Sequence, residues 1–277
     1  MRAARRPFPD LRFPMLHVVS RQPAGSALPP LLLVHGACAS VACWEAHFMD
    51  WFAARGAACF AFDLRGHGAS DGRDRLQDFR IADYVEDLRQ VAAGLPSTPV
   101  LVGHSMGGLV VQKYLETGAA RGAVLLASSP VGGMLRDGLR LMVRHPRAFA
   151  RASAARQLGQ VYRDEAVLRA VLLTPETPEE VLQQCMEQLG EESWRAIQDL
   201  NFVLPRPASV KVPVQVLGGA LDNMVSPKSV RRTAAAYGVP CMLFPRMAHM
   251  LNLEPGWENV AAAILDWVRR LGAGTPA

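Results

Sequence analysis

The chain has 277 residues, of which half are hydrophobic, and its mean hydropathy lies near zero. This length fits one large domain with a sizeable core, or a domain that carries an insertion. No apolar run approaches the ~18 residues of a membrane span. The formal net charge of +5 comes mostly from dispersed arginine. Because aromatic side chains do not form a patch with these arginines, we expect no nucleic-acid partner.

The N-terminal segment, residues 1–14, is basic but has no apolar stretch of the kind found in signal peptides. We therefore expect a flexible lead there. The five cysteines are odd in number and lack the spacing of a disulfide framework, which favours a reducing cytoplasmic location. The sequence has no C-x-x-C, H-x-x-x-H or P-loop motif, and so it implies no metal and no cofactor.

Apolar runs between turn residues predict strands, and amphipathic periods between these runs predict helices. The strands are expected near 13–19, 30–35, 57–62, 99–103, 122–127, 213–218 and 240–245. The helices are expected near 43–55, 80–94, 105–118, 228–237 and 257–271. Since the crossovers are long enough to join parallel strands, we expect an α/β fold with a mostly parallel central sheet flanked by helices.

Residues 131–206 interrupt this alternation, because they contain helical patterns but no convincing strand. We expect a helical cap, or lid, inserted into a core of residues 15–130 and 207–277. Five arginines recur in the cap at steps of three or four residues: Arg136, Arg140, Arg144, Arg147 and Arg151. This basic amphipathic pattern predicts an ordinary solvated face, a weak contact with an anionic membrane surface, or a site for an anionic acyl carrier.

The segment Gly103-His104-Ser105-Met106-Gly107 has the pattern G-x-S-x-G. It follows a predicted strand and precedes a predicted helix, which is the setting of a nucleophile elbow. The flanking glycines let the strand and helix approach each other, and Ser105 is then exposed at the edge of the sheet. The alternative is a glycine-rich turn in which the serine only caps the helix.

A serine hydroxyl needs a base that removes its proton and an acid that orients the base. Asp222 lies on the loop after the strand near 213–218, and His249 lies on the loop after the strand near 240–245. These positions predict Asp222 as the acid and His249 as the base. A turn aspartate and a polar loop histidine are the structural alternatives.

Two backbone N–H groups are expected to form an oxyanion hole. One belongs to Met106, directly after the serine. The other belongs to Ala37, because His35-Gly36 follows an early strand and bends the backbone toward the site. An ordinary turn between a strand and a helix is the alternative.

Five segments in this order resemble the α/β-hydrolase superfamily, and most of all its monoacylglycerol lipase and lysophospholipase-like serine esterases. They are Leu33–Ala37, Asp63–Gly68 with Ser70, Gly103–Gly108, Gly218–Asp222 and Ala248-His249. A serine rather than an aspartate at position 105 disfavours dehalogenase and epoxide hydrolase chemistry. The loop 35–40 lacks the Gly-Gly-Gly of some lipases, which disfavours esters of large tertiary alcohols.

The resemblance implies a serine hydrolase that cleaves carboxylic esters through an acyl-enzyme, with a small-to-medium apolar acyl group. Its partner would be a small-molecule ester. A thioesterase or lactonase of the same fold is the nearest alternative. A hydrolase-fold protein that binds a ligand without catalysis is another. The sequence does not indicate an oligomeric state.

Overall fold

A computed structural model describes residues 15–272, so the predicted lead, residues 1–14, lies outside the described residues. Within this range seven strands form one sheet: β1 Val18–Arg21, β2 Leu31–Val34, β3 Cys59–Phe62, β4 Val100–His104, β5 Gly122–Leu126, β6 Val214–Gly219 and β7 Cys241–Phe244. Their spatial order is β1-β3-β2-β4-β5-β6-β7, and only the β1–β3 pair is antiparallel. The predicted α/β fold with a mostly parallel sheet is confirmed.

The helices of the described range are α1 Ala42–Glu45, α2 Phe48–Ala53, α3 Ile81–Ala93, α4 Met106–Tyr114, α5 Leu135–Arg144, α6 Pro146–Ala155, α7 Gly159–Tyr162, α8 Glu165–Leu172, α9 Glu179–Gln188, α10 Trp194–Phe202, α11 Pro227–Tyr237 and α12 Trp257–Gly272. The single helix predicted near 43–55 is divided into α1 and α2. The backbone of His47 leaves the helical region at φ −145°, and its ring stacks on Trp257.

Alternate residues of the central strands point to opposite faces of the sheet, and both faces are covered by helices. In β2, Leu31 and Leu33 pack with residues of α1, α2 and α12. Leu32 and Val34 pack with residues of α3, α4 and α11. Strands covered on both sides are apolar at every position, which explains the continuous run from Leu31 to Val34. The edge strand β7 is only half-buried.

Six helices, α5 to α10, lie between β5 and β6, in the segment predicted as the cap. The arginine period crosses two of them, because Pro146 lacks a backbone N–H and starts α6 as a new helix. Asp164 and Ser193 cap α8 and α10 with their side-chain oxygens. That this segment is a lid remains a prediction. Among residues 15–272, no helix has the length and apolar character needed to span a membrane.

The parallel strands direct four loops to one edge of the sheet. The loops after β2, β4, β6 and β7 carry Ala37, Ser105, Asp222 and His249 respectively. Because β2 pairs with β4, and Val34 is opposite Gly103, the loop of Ala37 lies next to the turn of Ser105. Ligands of open parallel sheets bind at such an edge.

Candidate active site

The turn between β4 and α4 holds Ser105 in a backbone conformation that non-glycine residues rarely adopt, with φ +52° and ψ −119°. Such strain is typical of functional sites. Glycine is needed on both sides of the serine. A Cβ on Gly103 would lie 2.5 Å from the carbonyl oxygen of Gly107, and a Cβ on Gly107 would overlap the backbone of Val34 and His35. The sequence therefore forms a sharp strand-to-helix turn with the geometry expected of a nucleophile elbow.

The three residues predicted as nucleophile, base and acid form one chain of hydrogen bonds. His249 Nε2 lies 3.0 Å from Ser105 Oγ, and His249 Nδ1 lies 2.9 Å from Asp222 Oδ2. Since the carboxylate can only accept, Nδ1 carries the proton and Nε2 is free to accept the serine proton. Asp222 and His249 are buried, while Ser105 is half-buried.

The loop of Asp222 is fixed before substrate arrives. Asp222 Oδ1 accepts the backbone N–H groups of Met224 and Val225 at 2.7 and 2.8 Å, which leaves Oδ2 for the histidine. At the end of β6, Gly219 lies so close to the carbonyls of Met247 and Ala248 that any Cβ would overlap them. This close approach brings the aspartate loop against the histidine loop.

Glu254, which the sequence analysis did not single out, supports the histidine loop. Its buried carboxylate accepts the backbone N–H of Ala248 at 2.7 Å and that of Thr174 at 2.6 Å. In addition, the backbone N–H of His249 donates to the carbonyl of Leu172, at the end of α8, at 3.0 Å. The cap segment and the histidine loop are thus hydrogen-bonded to each other.

The predicted oxyanion donors flank Ser105. Met106 follows it in the chain, and Gly36 packs against it, because a Cβ on Gly36 would lie 3.0 Å from the Ser105 Cβ. Within the described part of the chain, the backbone N–H groups of Ala37 and Met106 donate to no other protein group. Two N–H groups beside a serine hydroxyl suit a developing oxyanion.

Asp63 supports the loop of Ala37 from the core. It belongs to one of the five segments on which the resemblance rests. Its Oδ1 accepts the backbone N–H of Val41 at 2.7 Å, and its Oδ2 accepts that of Ala69 at 2.9 Å. Oδ2 also lies 2.8 Å from His17 Nδ1. The structure thus gives Asp63 a role in holding loops together.

Two other buried histidines lie beside the site, and both are held in a neutral form. His35 Nδ1 lies 2.8 Å from the Gly36 carbonyl, and its Nε2 accepts the Leu64 N–H. Burial, together with the charge of His67, lowers the pKa of His35 to about 4. Burial and the nearby His249 lower the pKa of His104 to about 3. Neither ring is hydrogen-bonded to the Ser105 hydroxyl, whose partner is His249.

A cleft of about 870 Å³ opens beside the oxyanion loop, between the cap segment and the core. Its lining does not include Ser105, Asp222 or His249. Its walls carry the charged side chains of Arg73, Asp74, Arg163 and Glu191.

The family model described as the alpha/beta hydrolase family matches residues 31–263. The monoacylglycerol lipase of Mycolicibacterium smegmatis is 26% identical over 238 residues, which cover 80% of this chain and 81% of that protein.

Two solved structures share the fold at low sequence identity. The enol-lactonase from Burkholderia xenovorans LB400 gives a TM-score of 0.71 at 18% identity, with 92% of this chain and 97% of that chain covered. A thermophilic esterase from Thermogutta terrifontis gives a TM-score of 0.71 at 20% identity, with 94% of each chain covered. The resemblance indicated by the five segments is confirmed, and the chain belongs to the alpha/beta hydrolase family.

Proposed function

We propose that this protein is a serine hydrolase that cleaves carboxylic esters with a small-to-medium apolar acyl group, through an acyl-enzyme. One observation carries the proposal: Ser105 Oγ, His249 and Asp222 form a continuous hydrogen-bonded chain with contacts of 3.0 and 2.9 Å. The likeness to a monoacylglycerol lipase supports an ester as the substrate class.

In the first half of the reaction, Ser105 Oγ attacks the ester carbonyl carbon while its proton passes to His249 Nε2. Asp222 holds the imidazole by Nδ1–H and stabilises the positive charge that forms. The carbonyl oxygen becomes an oxyanion and accepts the N–H groups of Ala37 and Met106. His249 then donates the proton to the leaving alcohol oxygen, and the C–O bond to the alcohol breaks.

In the second half, a water molecule attacks the acyl-enzyme carbonyl and gives a proton to His249 Nε2. The same two N–H groups stabilise the second oxyanion. His249 returns the proton to Ser105 Oγ as the bond between Oγ and the acyl carbon breaks, and the carboxylic acid leaves. Every proton transfer passes through His249 Nε2, and no metal or cofactor takes part in this scheme.

A thioesterase or lactonase would use the same residues, because each reaction passes through the same kind of tetrahedral oxyanion. The fold shared with an enol-lactonase keeps that alternative open. A binding protein without activity would need neither a strained serine nor a fixed base. The backbone strain at Ser105 therefore favours catalysis.

The test is a panel of p-nitrophenyl esters of increasing acyl length, with matched acyl thioesters and lactones, measured on the wild type and on Ser105→Ala. A fluorophosphonate probe should label the wild type and not the variant. We expect the highest kcat/KM on esters of short and medium chains. Labelling without turnover of any substrate class would contradict ester hydrolysis, and the absence of labelling would contradict the serine mechanism itself.

A further inference from the structure

A buried ionic cluster joins the cap segment to the loop of Ala37. At its centre is Glu192, which lies between α9 and α10 and has no exposed surface. Its Oε1 accepts the Tyr84 hydroxyl at 2.6 Å and the backbone N–H of Ser193 at 2.7 Å. Its Oε2 lies 3.0 Å from His67 Nε2 and accepts the backbone N–H of Cys38 at 3.4 Å. Four donors thus occupy the four acceptor positions of a carboxylate.

The partner of Glu192 in the core, His67, is held as an imidazolium. Its Nδ1 lies 3.1 Å from the carbonyl oxygen of Arg65, and its Nε2 faces the carboxylate. Because both ring nitrogens face acceptors, only the doubly protonated ring satisfies both. Burial is the largest single influence and lowers the pKa of His67, but the charge and hydrogen bond of Glu192, the Arg65 carbonyl and the charge of Asp63 together outweigh it, and the pKa is raised.

The cap segment holds both backbone polar groups of Cys38, which directly follows Ala37. The Cys38 N–H donates to Glu192, and the Cys38 carbonyl accepts the N–H of Gly190 at 2.6 Å. Cys38 adopts φ +62°, a left-handed conformation that is unfavourable for a residue with a side chain. Such a conformation persists only where the surroundings impose it.

The peptide group between Gly36 and Ala37 is held in its orientation by residues of the core. The Gly36 carbonyl, which belongs to the same peptide plane as the Ala37 N–H, accepts from Ala39 N–H at 3.3 Å and lies 2.8 Å from His35 Nδ1. A trans peptide directs its carbonyl and its N–H to opposite sides. The backbone of Ala37 is therefore restrained by the core on one side and by the cap segment on the other.

We propose that Glu192 is a positioning residue for the oxyanion hole: its carboxylate, oriented by His67 and Tyr84, holds Cys38 so that the Ala37 N–H stays directed at the Ser105 site. This inference rests on the proposed function. It makes a docked cap segment a condition for a complete oxyanion hole. Substrate would then be fully activated only while residues 190–192 contact the core.

The effect should fall on turnover rather than on substrate binding, because the oxyanion forms only after Ser105 attacks. Removal of an entire oxyanion donor lowers kcat by about 10²–10³-fold. A misdirected Ala37 N–H keeps part of that interaction, so we expect a loss of about 10- to 100-fold in kcat. KM should stay within about twofold, because uniform binding is not altered.

Glu192→Gln is the main test, because it keeps the shape of the side chain but replaces one acceptor oxygen with a donor NH₂. The NH₂ is favoured at the Oε2 position, because it can donate there to Nε2 of a neutral His67 while the remaining oxygen still accepts from Tyr84 and Ser193. The contact that the variant loses is then the one with the Cys38 N–H. Tyr84→Phe is a milder second variant that removes a single hydrogen bond to Glu192. It should give a smaller loss in the same direction.

Asp199→Asn is the matched control. Asp199 is also a buried carboxylate of the segment between β5 and β6. It forms an ion pair with Arg80, which lies outside that segment, and its Oδ1 is 2.7 Å from the guanidinium. Its other oxygen accepts the Ile81 N–H at 3.2 Å. The control thus loosens an ionic contact with the core that does not involve the oxyanion loop.

The four proteins are compared by kcat and KM on p-nitrophenyl acetate. They are also compared by the pKa of the hemiketal hydroxyl that forms when a trifluoromethyl ketone adds to Ser105, followed by ¹³C NMR. We expect Glu192→Gln to lower kcat and raise the hemiketal pKa, and Asp199→Asn to match the wild type in both. A merely structural role would not change the hemiketal pKa of the folded variant.

Wild-type values for Glu192→Gln, or equal losses in Glu192→Gln and Asp199→Asn, would overturn the inference. If Glu192→Gln does not fold, Tyr84→Phe decides by the same two measurements. A wild type that neither hydrolyses esters nor reacts with a fluorophosphonate would refute the proposed function, and this inference with it. An active wild type with an unaffected Glu192→Gln would refute only the inference.

Discussion

Arg140 of α5 donates a hydrogen bond of 2.5 Å to the carbonyl oxygen of Asn223, the residue that follows Asp222 in the chain. One turn later, Arg144 donates to the side-chain oxygen of Asn223 at 3.0 Å. The Asn223 amide in turn donates to the carbonyl of Ala170 in α8 at 3.0 Å. Two of the five periodic arginines therefore hold the loop of the proposed acid, where the sequence pattern predicted a solvated, lipid-facing or carrier-binding face.

Arg140→Gln should consequently affect the reaction of every substrate, including small neutral esters. Loss of the contact with Asn223 would loosen the loop of Asp222 and misalign His249 in a fraction of molecules. We expect kcat on p-nitrophenyl acetate to fall several-fold, and the melting temperature to fall by about 2–4 °C if the bond contributes ~1 kcal/mol. Steady-state kinetics and thermal unfolding measure the two effects.

The matched control is Arg147→Gln, because Arg147 is exposed on α6 and belongs to the same arginine period. It should leave kcat on p-nitrophenyl acetate and the melting temperature unchanged. Equal behaviour of Arg140→Gln and Arg147→Gln would mean that the contact with Asn223 does not support the acid loop.

Two substitutions at Ser105 distinguish its backbone strain from its role as the nucleophile. Ser105→Ala and Ser105→Gly should both lower turnover by about 10⁴-fold or more, because each removes the nucleophile. Only glycine relaxes the backbone at φ +52°, and relief of such strain contributes about 1–3 kcal/mol. We therefore expect Ser105→Gly to unfold at a higher temperature than Ser105→Ala. A lower melting temperature for the glycine variant would contradict a strained elbow.

Asp222→Asn should lower kcat by about 10³–10⁴-fold, because an amide in place of the carboxylate favours the wrong imidazole tautomer. The melting temperature should change little, since an amide oxygen can still accept the N–H groups of Met224 and Val225. Asp199→Asn serves as the comparison, because that carboxylate binds Arg80 and not a histidine. Greater damage from Asp199→Asn than from Asp222→Asn would reject Asp222 as the acid.

Most of the sheet was predictable because its strands are buried on both faces and so are uniformly apolar, as in Leu31–Val34 and Gly122–Leu126. The strand expected near 13–19 lies instead at Val18–Arg21, since an edge strand is only half-buried and has a weaker apolar pattern. That Ser105, Asp222 and His249 lie close together was predictable, because each follows the end of a parallel strand and these ends meet at one edge of the sheet.

Glu192 and Glu254 were not predictable in the same way. Each lies in a segment without a motif, and the partners that matter lie far away in the chain: Glu192 contacts Cys38, and Glu254 contacts Thr174. Such contacts depend on how the segment between β5 and β6 docks onto the core, which local periodicity does not encode. The signal that marks these two acids as important is their burial, which is rare for glutamate and is visible only in the folded structure.

A weak contact with an anionic membrane surface remains a proposal for the outer face of α5. Leu135, Leu139 and Val143 are exposed there by 60%, 48% and 80% of their surface, and Arg136 and Arg147 are exposed nearby. Apolar and basic groups together favour anionic lipid. Leu139→Glu with Val143→Glu should abolish co-sedimentation with phosphatidylglycerol vesicles and leave p-nitrophenyl acetate hydrolysis unchanged. Equal co-sedimentation of the wild type and the double variant would contradict this contact.

The two buried neutral histidines make the fold sensitive to acid. The pKa values of about 4 for His35 and about 3 for His104 lie below the ordinary value of 6.5. Between about pH 6.5 and 4, the unfolded chain therefore binds more protons at these positions than the folded protein. The free energy of unfolding should fall as the pH falls through this window. His67 acts in the opposite sense, because its raised pKa adds stability that is lost as the pH rises.

His104→Gln tests this linkage, because the amide can still donate to the His249 carbonyl, as His104 Nε2 does at 3.0 Å, but cannot titrate. Urea unfolding at pH 7 and pH 5 gives the free energy of unfolding at both values. The fall between them should be smaller in the variant by up to ~2 kcal/mol, the amount for one group that is protonated in the unfolded chain alone. An identical fall in the variant and the wild type would mean that His104 takes up its proton in the folded protein as readily as in the unfolded chain.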